Sequence, residues 1–376
     1  MSTCMAGDAD YNGQITIDEI LAAVHNALSL YGCGVPPPPC AAATKTCFVR
    51  VDGNDLKSGA DANDALRSVS KAWQVARDGY TIIVGPGTYY EAVTLASGGV
   101  SPNGVQFIAD TTGVRTGSAP GPVVIDATFT VAWAGFSLSG TKGSLIDGFT
   151  ITGGGNGGIV IKAGDGGGSD NFAIQNCIVL NNPGDGIRIL DSANALIFNN
   201  LVYGNGGTGI NIAGANAGSP NAHVINNTVA GNHFRGINVG TFFAASPGAF
   251  LRNNIVQDTG AVPSIQVFTP PPPDVPRSDV GYNADFNLVH PPTYQPSTIV
   301  GHHDLFADAR FVDAIQGNYH LQAKGPAIDA GDSLTSMLPL QLQLRCRTTT
   351  GGTDCDLNAL DLGFHYAPDG HCQECQ

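Results

Sequence analysis

Short apolar runs bounded by glycine and other turn residues dominate the middle of the chain. The first is Ile82–Val84, which the turn sequence Gly85–Gly87 follows directly. Runs of this length are typical of β-strands, and their repetition predicts an all-β protein. Residues 63–78 differ, because their apolar side chains recur at helical spacing. We therefore expect an amphipathic helix there that covers the start of the β-structure.

The middle of the chain also repeats when it is aligned on itself. Each copy joins a short motif to a later strand that begins at a glycine, so a repeat contains at least two strands and their turns. The motifs are IDGFTI at Ile146, IQNCIV at Ile174, FNNLV at Phe198, INNTV at Ile225 and RNNIV at Arg252, and the glycines are Gly158, Gly186, Gly209 and Gly236. Such a repeat suits one coil of a parallel β-helix, whose coils stack at about 4.8 Å.

Equivalent positions of the repeats predict columns of stacked side chains. One column is valine, one is asparagine, and a third begins at a cysteine: Val179, Val202, Val229 and Val256; Asn176, Asn199, Asn226 and Asn253; Cys177, Asn200, Asn227 and Asn254. Stacked amides can hydrogen-bond to one another and to the turn backbone. We interpret the asparagines as structural ladders and not as a binding site, since buried polar groups must be paired.

These coils resemble the pectate-lyase-like right-handed parallel β-helix superfamily. The likeness extends from Cys47 to Ala367, and it implies a secreted, all-β solenoid. Its motifs are VDGNDLKSGADANDALRSVSKAW from Val51, DGYTIIVGPGTYYE from Asp78, DARFVDAIQGNYHLQAKGPAIDAGD from Asp308 and DLGFHY from Asp361. They are motifs of the fold and not of a reaction.

Residues 8–19 match every position of the EF-hand calcium loop D-x-[DN]-x-[DN]-G-x5-E. Hard oxygen donors recur at the spacing that calcium requires, and Gly13 permits the sharp turn. The predicted ligands are Asp8, Asp10, Asn12, the carbonyl of Gln14, Thr16 at the often water-mediated position, and the bidentate Glu19. The alternative is an Asx-rich turn that caps a helix, although a cap needs only one such residue.

The loop leads into a helical pattern, and together they resemble one repeat of a dockerin, a calcium-dependent docking module. Only one repeat is present, and Glu19 stands where dockerins commonly have aspartate. Pro36–Pro39 marks the next boundary, since such a run favours an extended spacer. We divide the chain into a calcium module at residues 1–34, a proline-rich linker at residues 35–46, and a β-helix with its capping regions at residues 47–376.

Composition narrows the compartment and the partners. The formal net charge is −14 with only 17 lysines and arginines, which argues against nucleic acid. No apolar stretch approaches the roughly 20 residues that span a bilayer, and no signal peptide is visible in the sequence. Cysteines concentrated at the two ends are typical of a stapled extracellular or cell-surface protein.

Eight of the nine cysteines lie outside the repeats, and Cys177 stands alone inside them. The pairing that we prefer is Cys4 with Cys33, Cys40 with Cys47, Cys346 with Cys355 and Cys372 with Cys375, which leaves Cys177 as a buried thiol. We expect the region from Leu340 to Cys375 to cover the last coil, as terminal repeats generally require a cap.

Lyases of the resembled superfamily use a lysine or arginine base beside calcium-held carboxylates. Cations on the aligned coils are Lys162, Arg188, Arg235 and Arg252, while Asp185 shares a column with Thr208 and Arg235. Asp185 and Arg235 lie two coils apart, about 10 Å by the strand repeat. No three acids surround any of these cations in the alignment, and the paired aspartates of glycoside hydrolases are missing too. We therefore assign no catalytic residue.

Other polar groups are interpreted as structural. Asp126 and Asp147 are expected in turns, and His302–His303 has no obvious ligand set. Turn and cap chemistry also explains two weaker calcium candidates, which are Asp52, Asn54 and Asp55, and Asp354, Asp356, Asn358 and Asp361.

Two classes of function remain. The first is a non-catalytic extracellular calcium-binding β-helix with a structural, adhesive or self-assembling role, including filament formation, whose partner is a second copy or a cell-surface glycan. The alternative is a calcium-dependent polysaccharide lyase or related glycan-active enzyme, which needs a basic groove that the net charge disfavours. Docking onto a scaffold through residues 1–34 is a third hypothesis.

Overall fold

The computed structural model describes residues 17, 20, 40–94, 102–130, 133–164, 167–214, 217–241, 244–257, 263–268, 282–294, 298, 300–333, 337–351, 356 and 359–367. All six predicted calcium ligands lie outside these residues, as do both cysteines of the Cys4–Cys33 and Cys372–Cys375 pairs.

Three parallel sheets make up the body of the described chain. Sheet A has nine strands, at Thr46–Val49, Thr81–Val84, Gln106–Ala109, Leu145–Asp147, Ala173–Gln175, Leu196–Phe198, His223–Ile225, Ala249–Arg252 and Tyr282–Asp285. Sheet B has eight, at Gly87–Tyr89, Val123–Asp126, Thr150–Thr152, Ile178–Leu180, Leu201–Tyr203, Thr228–Ala230, Ile255–Gln257 and Leu288–His290. Sheet C has seven, at Val93–Thr94, Ala134–Ser139, Gly157–Lys162, Asp185–Leu190, Ile210–Ala213, Ile237–Val239 and Ile265–Val267.

The chain visits sheets A, B and C in turn, and each strand pairs in parallel with its counterpart one coil later. This is the parallel β-helix that the repeats predict. The valine column is confirmed, because Val179 pairs with Val202, Val202 with Val229 and Val229 with Val256. All four valines are fully buried, so alternate positions of each strand fill the core between the sheets.

A short helix, α1, covers the first coil and spans Val69–Val75. It is shorter than the predicted 63–78, because Ser68 caps its N-terminus and Leu66 instead bridges to sheet A at Val49. Trp73 of the helix packs edge-on against Phe107, with ring centroids 5.3 Å apart. The predicted role of the helix as a cover for the core is therefore confirmed, although its length is not.

The C-terminal region folds separately from the coils. It contains a two-stranded antiparallel sheet of Phe311–Asp313 and Asn318–Leu321, a 3₁₀ turn at Ala314–Gln316 and the helix α2 at Leu338–Leu344. The segment 361–366 then bonds to asparagines of the middle coils and not to the last coil. The expectation that the region after Leu340 covers the last coil is thus wrong for its described part, which lies along the flank.

Three polar ladders line the turns, and the sequence repeats predicted one of them. Between sheets A and B, the backbone N–H of Cys177 donates to Asn200, and the series continues through later coils to Asn287. A second asparagine ladder lies between sheets B and C, and a serine ladder lies between sheets C and A; their members are Asn182, Asn205 and Asn232, then Ser169, Ser192, Ser219 and Ser246. Every corner of the helix therefore satisfies its turn backbone with side chains from the next coil.

The described cysteines agree with the predicted pairing as far as they test it. Cys40 and Cys47 form a disulfide, and Cys177 is a buried free thiol. Cys346 is also disulfide-bonded, but its predicted partner Cys355 lies outside the described residues. Among the helices that the structure describes, none is long and apolar enough to cross a membrane.

Candidate functional site

The outer face of sheet C gathers most of the charged side chains that the repeats singled out. Ile187 and Ile189 of the strand Asp185–Leu190 are fully buried in the core, so the intervening Arg188 points outward. Strand pairing aligns Arg188 with three outward amides of successive coils, which are Asn211, Asn238 and Gln266. We call this column the sheet C strip.

Asp185 organises the N-terminal end of the strip. Its Oδ2 accepts from Asn211 Nδ2 at 2.8 Å and lies 3.7 Å from Arg188 Nε, while its Oδ1 accepts from the Thr208 backbone at 2.8 Å. Asn238 Nδ2 then donates to Asn211 Oδ1 at 3.0 Å. The strip is therefore a continuous chain of hydrogen bonds that runs along the helix axis.

Toward its other end the strip contains polar atoms without partners. Asn238 is 7% exposed and Gln266 is 3% exposed, yet the Oδ1 of the first and the Oε1 of the second accept no hydrogen bond. The buried Nε of Arg235 lacks a partner as well. Leaving a buried polar group unpaired costs about 1–3 kcal/mol, so these atoms favour a ligand that would pair with them.

Two aromatic side chains adjoin cations at this face. The guanidinium of Arg235 lies 4.0 Å from the ring centre of Phe234, and Lys162 Nζ lies 4.9 Å from that of Trp133. Phe234 and Trp133 remain about two-fifths exposed, at 41% and 39%. Burial lowers the pKa of Arg235, so its charge is only partly compensated by the surrounding protein.

Arg252, the fourth predicted cation, belongs to a different cluster at sheet A. Its Nη1 lies 3.1 Å from Asp285 Oδ2, and its Nε lies 3.8 Å from Asp332 Oδ2. His303, for which the sequence suggested no ligand set, brings Nδ1 to 2.9 Å from Asp285 Oδ2 and stacks on Phe286. Burial tends to raise the pKa of Asp285, but hydrogen bonds from His303, Phe286 and Arg252 hold it below its usual value.

An acidic cluster lies in the C-terminal region, where ligand atoms of Asp329, Asp356 and Asp361 come within 4.8 Å of one another. Hydrogen bonds already engage it: Asp361 accepts from the Asp329 backbone and from Thr349, and Asp356 Oδ2 accepts from the Asp361 backbone. The His365 ring adds a contact of 2.8 Å to Asp356 Oδ2. Burial, followed by the charge of Asp356, raises the pKa of Asp361. This network is explained as structural, as predicted for Asp356 and Asp361, whereas Asp329 and His365 were not anticipated.

The remaining sequence candidates are also accounted for by local bonds. Asp126 accepts from the Thr128 backbone, and Asp55 accepts from Arg67 and Ser68 at the start of α1. Asp52 pairs with Arg50, and Asn54 accepts from the Leu56 backbone. Turn and cap chemistry is therefore confirmed for these residues.

Comparison with known proteins identifies the fold. A family model described as "Right handed beta helix region" matches residues 103–229 and 168–269. The chain is a right-handed parallel β-helix. No curated protein sequence matches it.

Solved structures with a similar fold include three carbohydrate-active enzymes. Pectate lyase Pel9A is 15% identical with a TM-score of 0.40, over 85% of this chain and 95% of its own. A rhamnogalacturonan lyase is 13% identical with a TM-score of 0.41, over 79% and 98%. A GH136 lacto-N-biosidase from Eubacterium ramulus is 12% identical with a TM-score of 0.33, over 65% and 44%. Identities this low relate the folds and carry no activity across.

Proposed function

We propose that this protein is a non-catalytic, extracellular calcium-binding β-helix that adheres to a glycan through the outer face of sheet C. The observation that carries the proposal is the set of unpartnered polar atoms there, on Arg235, Asn238 and Gln266. Glycans present hydroxyl groups that both donate and accept, at regular intervals along a chain. Side chains stacked at about 4.8 Å offer a matching periodic set of donors and acceptors.

The exposed aromatic rings support the same conclusion. A sugar ring has an apolar face that packs on Phe234 or Trp133, while its hydroxyls bond to the strip between them. The strip combines arginine donors with amide groups and a single carboxylate, Asp185, among the described residues of the face. This balance suits a neutral or weakly charged polymer.

Calcium belongs to the proposal through residues 8–19, where Glu19 is the key bidentate ligand. Glu19→Gln or Asp8→Ala should abolish tight calcium binding while the β-helix stays folded. Isothermal titration calorimetry with calcium chloride measures the binding, and circular dichroism monitors the fold. Unchanged binding in both variants would exclude the loop as the site.

Self-association is proposed to depend on the same module, since calcium would order the helix that presents a contact. Deletion of residues 1–40 should leave a monomer, and chelation should shorten any polymer. Sedimentation velocity decides between these states, and intact polymers after both treatments would place the interface on the coils.

A polysaccharide lyase is the second candidate, and the lowered pKa of Arg235 favours it. As the base, Arg235 would take the proton α to a uronate carboxylate, after which a carbon–carbon double bond forms and the glycosidic C–O bond breaks. Ultraviolet absorbance of the unsaturated product during incubation with uronate polymers tests this reaction. Calcium-dependent product that Arg235→Gln abolishes would replace adhesion by catalysis.

The adhesion proposal is tested by affinity electrophoresis against a panel of neutral and acidic polysaccharides. Arg235→Gln and Gln266→Leu should each weaken retention on the best polymer by about tenfold, because each removes a bond to the ligand. Arg345→Gln, an exposed arginine in the C-terminal region, serves as the control and should change nothing. Retention that is equal in all variants, or absent from the wild type, would refute the proposal.

A further inference from the structure

A second groove lies on the opposite side of the chain's functional face, between the corner of sheets A and B and the C-terminal region. Its volume is about 740 Å³. Asp147 and Asn176 line it from the coils, and His320, Arg347 and Tyr366 line it from the C-terminal region. Sequence repeats could not reveal this groove, because half of its wall is not repetitive.

Arg347 is the main charged donor of the groove, and it is poorly compensated. Its guanidinium is largely buried, and its hydrogen bond from Nη1 to the His365 carbonyl is long, at 3.4 Å. Among the ion pairs of the described residues, none joins Arg347 to a carboxylate within 4.0 Å. Desolvation lowers its pKa, and the charge of Asp147 offsets this only in part. A buried cation without a close partner is costly, so the groove favours an anion.

Asp147 gives the groove a second kind of contact. Its two carboxylate oxygens accept from Asn176 Nδ2 at 2.7 Å and from Gln175 Nε2 at 3.0 Å, which fixes the carboxylate in place. Each oxygen retains a lone pair that can accept from a hydroxyl group. A simple inorganic anion has no hydroxyl hydrogen to spare when fully ionised, and Asp147 would repel it.

Aromatic groups form another part of the wall. The rings of His320 and Tyr366 stack with centroids 3.7 Å apart and planes inclined by 14°. The buried hydroxyl of Tyr366 has no hydrogen-bond partner. The groove therefore combines a cation, a hydroxyl acceptor, an aromatic surface and an unsatisfied phenol.

We propose that this groove binds an acidic sugar, with the sugar carboxylate on Arg347 and its hydroxyls on Asp147 and Tyr366. A neutral sugar would leave the guanidinium uncompensated, and a simple carboxylate would leave Asp147 and Tyr366 unused. A uronate unit satisfies all three, and a planar guanidinium pairs well with a carboxylate. This site is separate from the sheet C strip, so it does not depend on the proposed function.

Calorimetry on the full chain tests the proposal with sodium galacturonate, galactose and sodium acetate as probes. Galacturonate should bind at least tenfold more tightly than either of the others, and its affinity should fall as salt is added. Arg347→Gln should weaken galacturonate binding at least tenfold. Arg345→Gln removes a nearby exposed arginine at the end of α2, and Arg235→Gln removes the cation of sheet C; both should keep wild-type affinity.

Equal affinity for galacturonate and galactose would overturn the proposal, and so would unchanged binding in Arg347→Gln. Loss of binding in Arg235→Gln would move the acidic sugar to sheet C. If Arg347→Gln does not fold by circular dichroism, a crystal of the unaltered protein grown with galacturonate decides the matter. A carboxylate bound at Arg347 supports the site, whereas density elsewhere or no bound sugar refutes it.

Discussion

Two asparagine columns run side by side through the turns between sheets A and B, and they are satisfied differently. In the inner column, which includes Asn200 and Asn227, each Oδ1 accepts the backbone N–H of the preceding coil, at 2.9–3.0 Å. In the outer column, Asn199 bonds to the backbone of His365 and Asn226 to that of Asp361. The inner column holds coil to coil, whereas the outer column holds the C-terminal segment against the coils.

The difference shows what repetition can and cannot do. Every inner asparagine meets the same partner in the next coil, so the arrangement continues until the Asp304 carboxylate accepts from Asn287 and ends it. The outer asparagines take left-handed backbone conformations, with φ of 52° at Asn199 and 53° at Asn226. This conformation turns their side chains outward, where a segment remote in sequence can use them.

The largest expected effect is at the inner column. Asn227→Leu removes the acceptor for the backbone and side chain of Asn200 and the donor to the Ile197 carbonyl. Several buried groups lose partners at once, so unfolding in denaturant should show a loss of about 3–5 kcal/mol. Gln343→Leu on the exposed side of α2 is the matched control, and an equally small change in both variants would show that the ladder contributes little.

A smaller effect is expected at the outer column. Asn226→Leu loses the bond to the Asp361 carbonyl and places leucine in a left-handed conformation, which should cost about 1–3 kcal/mol. Hydrogen exchange should increase in residues 361–366 while the coils stay protected. Asn226→Gly tolerates the backbone conformation and so isolates the lost bonds. Exchange that rises evenly through the coils would contradict the docking role of this column.

The acidic cluster under the C-terminal segment should give a pH dependence of one sign. The pKa of Asp361 is raised in the folded protein, so the folded state holds the proton more tightly than the unfolded chain. Stability should therefore fall as the pH rises from the unfolded value, near 3.9, through the folded value. Asp361→Asn cannot titrate and should flatten this decline. Parallel pH profiles for wild type and variant that never diverge would refute it.

The smallest effect is expected at Asp285, next to the last described strand of sheet A, and its sign is opposite. Its lowered pKa means that the charged form stabilises the fold above the unfolded pKa, and that this contribution is lost as the pH falls through the folded value. Asp285→Asn should cost up to about 1 kcal/mol at neutral pH and nothing in acid. Thermal unfolding at both pH values measures the difference, and a cost that persists in acid would point to packing instead of charge.

Several features followed from the sequence by itself, and each depends on local or repeated information. Strand periodicity and aligned repeats predicted the parallel β-helix, the valine column and one asparagine ladder, because stacked coils bring equivalent residues together. The serine ladder through Ser192 and Ser219 carried the same signal, and the alignment could have found it. The calcium ligands from Asp8 to Glu19 remain a prediction from motif spacing.

Only the tertiary structure decided where the non-repetitive C-terminal region lies. The sequence suggested a cover for the last coil, but the outer asparagines offer unpaired amides along the flank, and the segment 361–366 satisfies them. This docking brings Arg347 next to Asp147 and creates the second groove. No spacing in the chain encodes that contact, since its two residues are 200 positions apart and belong to units with different periodicity. Periodicity predicts contacts between equivalent positions, whereas contacts between unlike units depend on which surfaces remain unsatisfied after the coils have stacked.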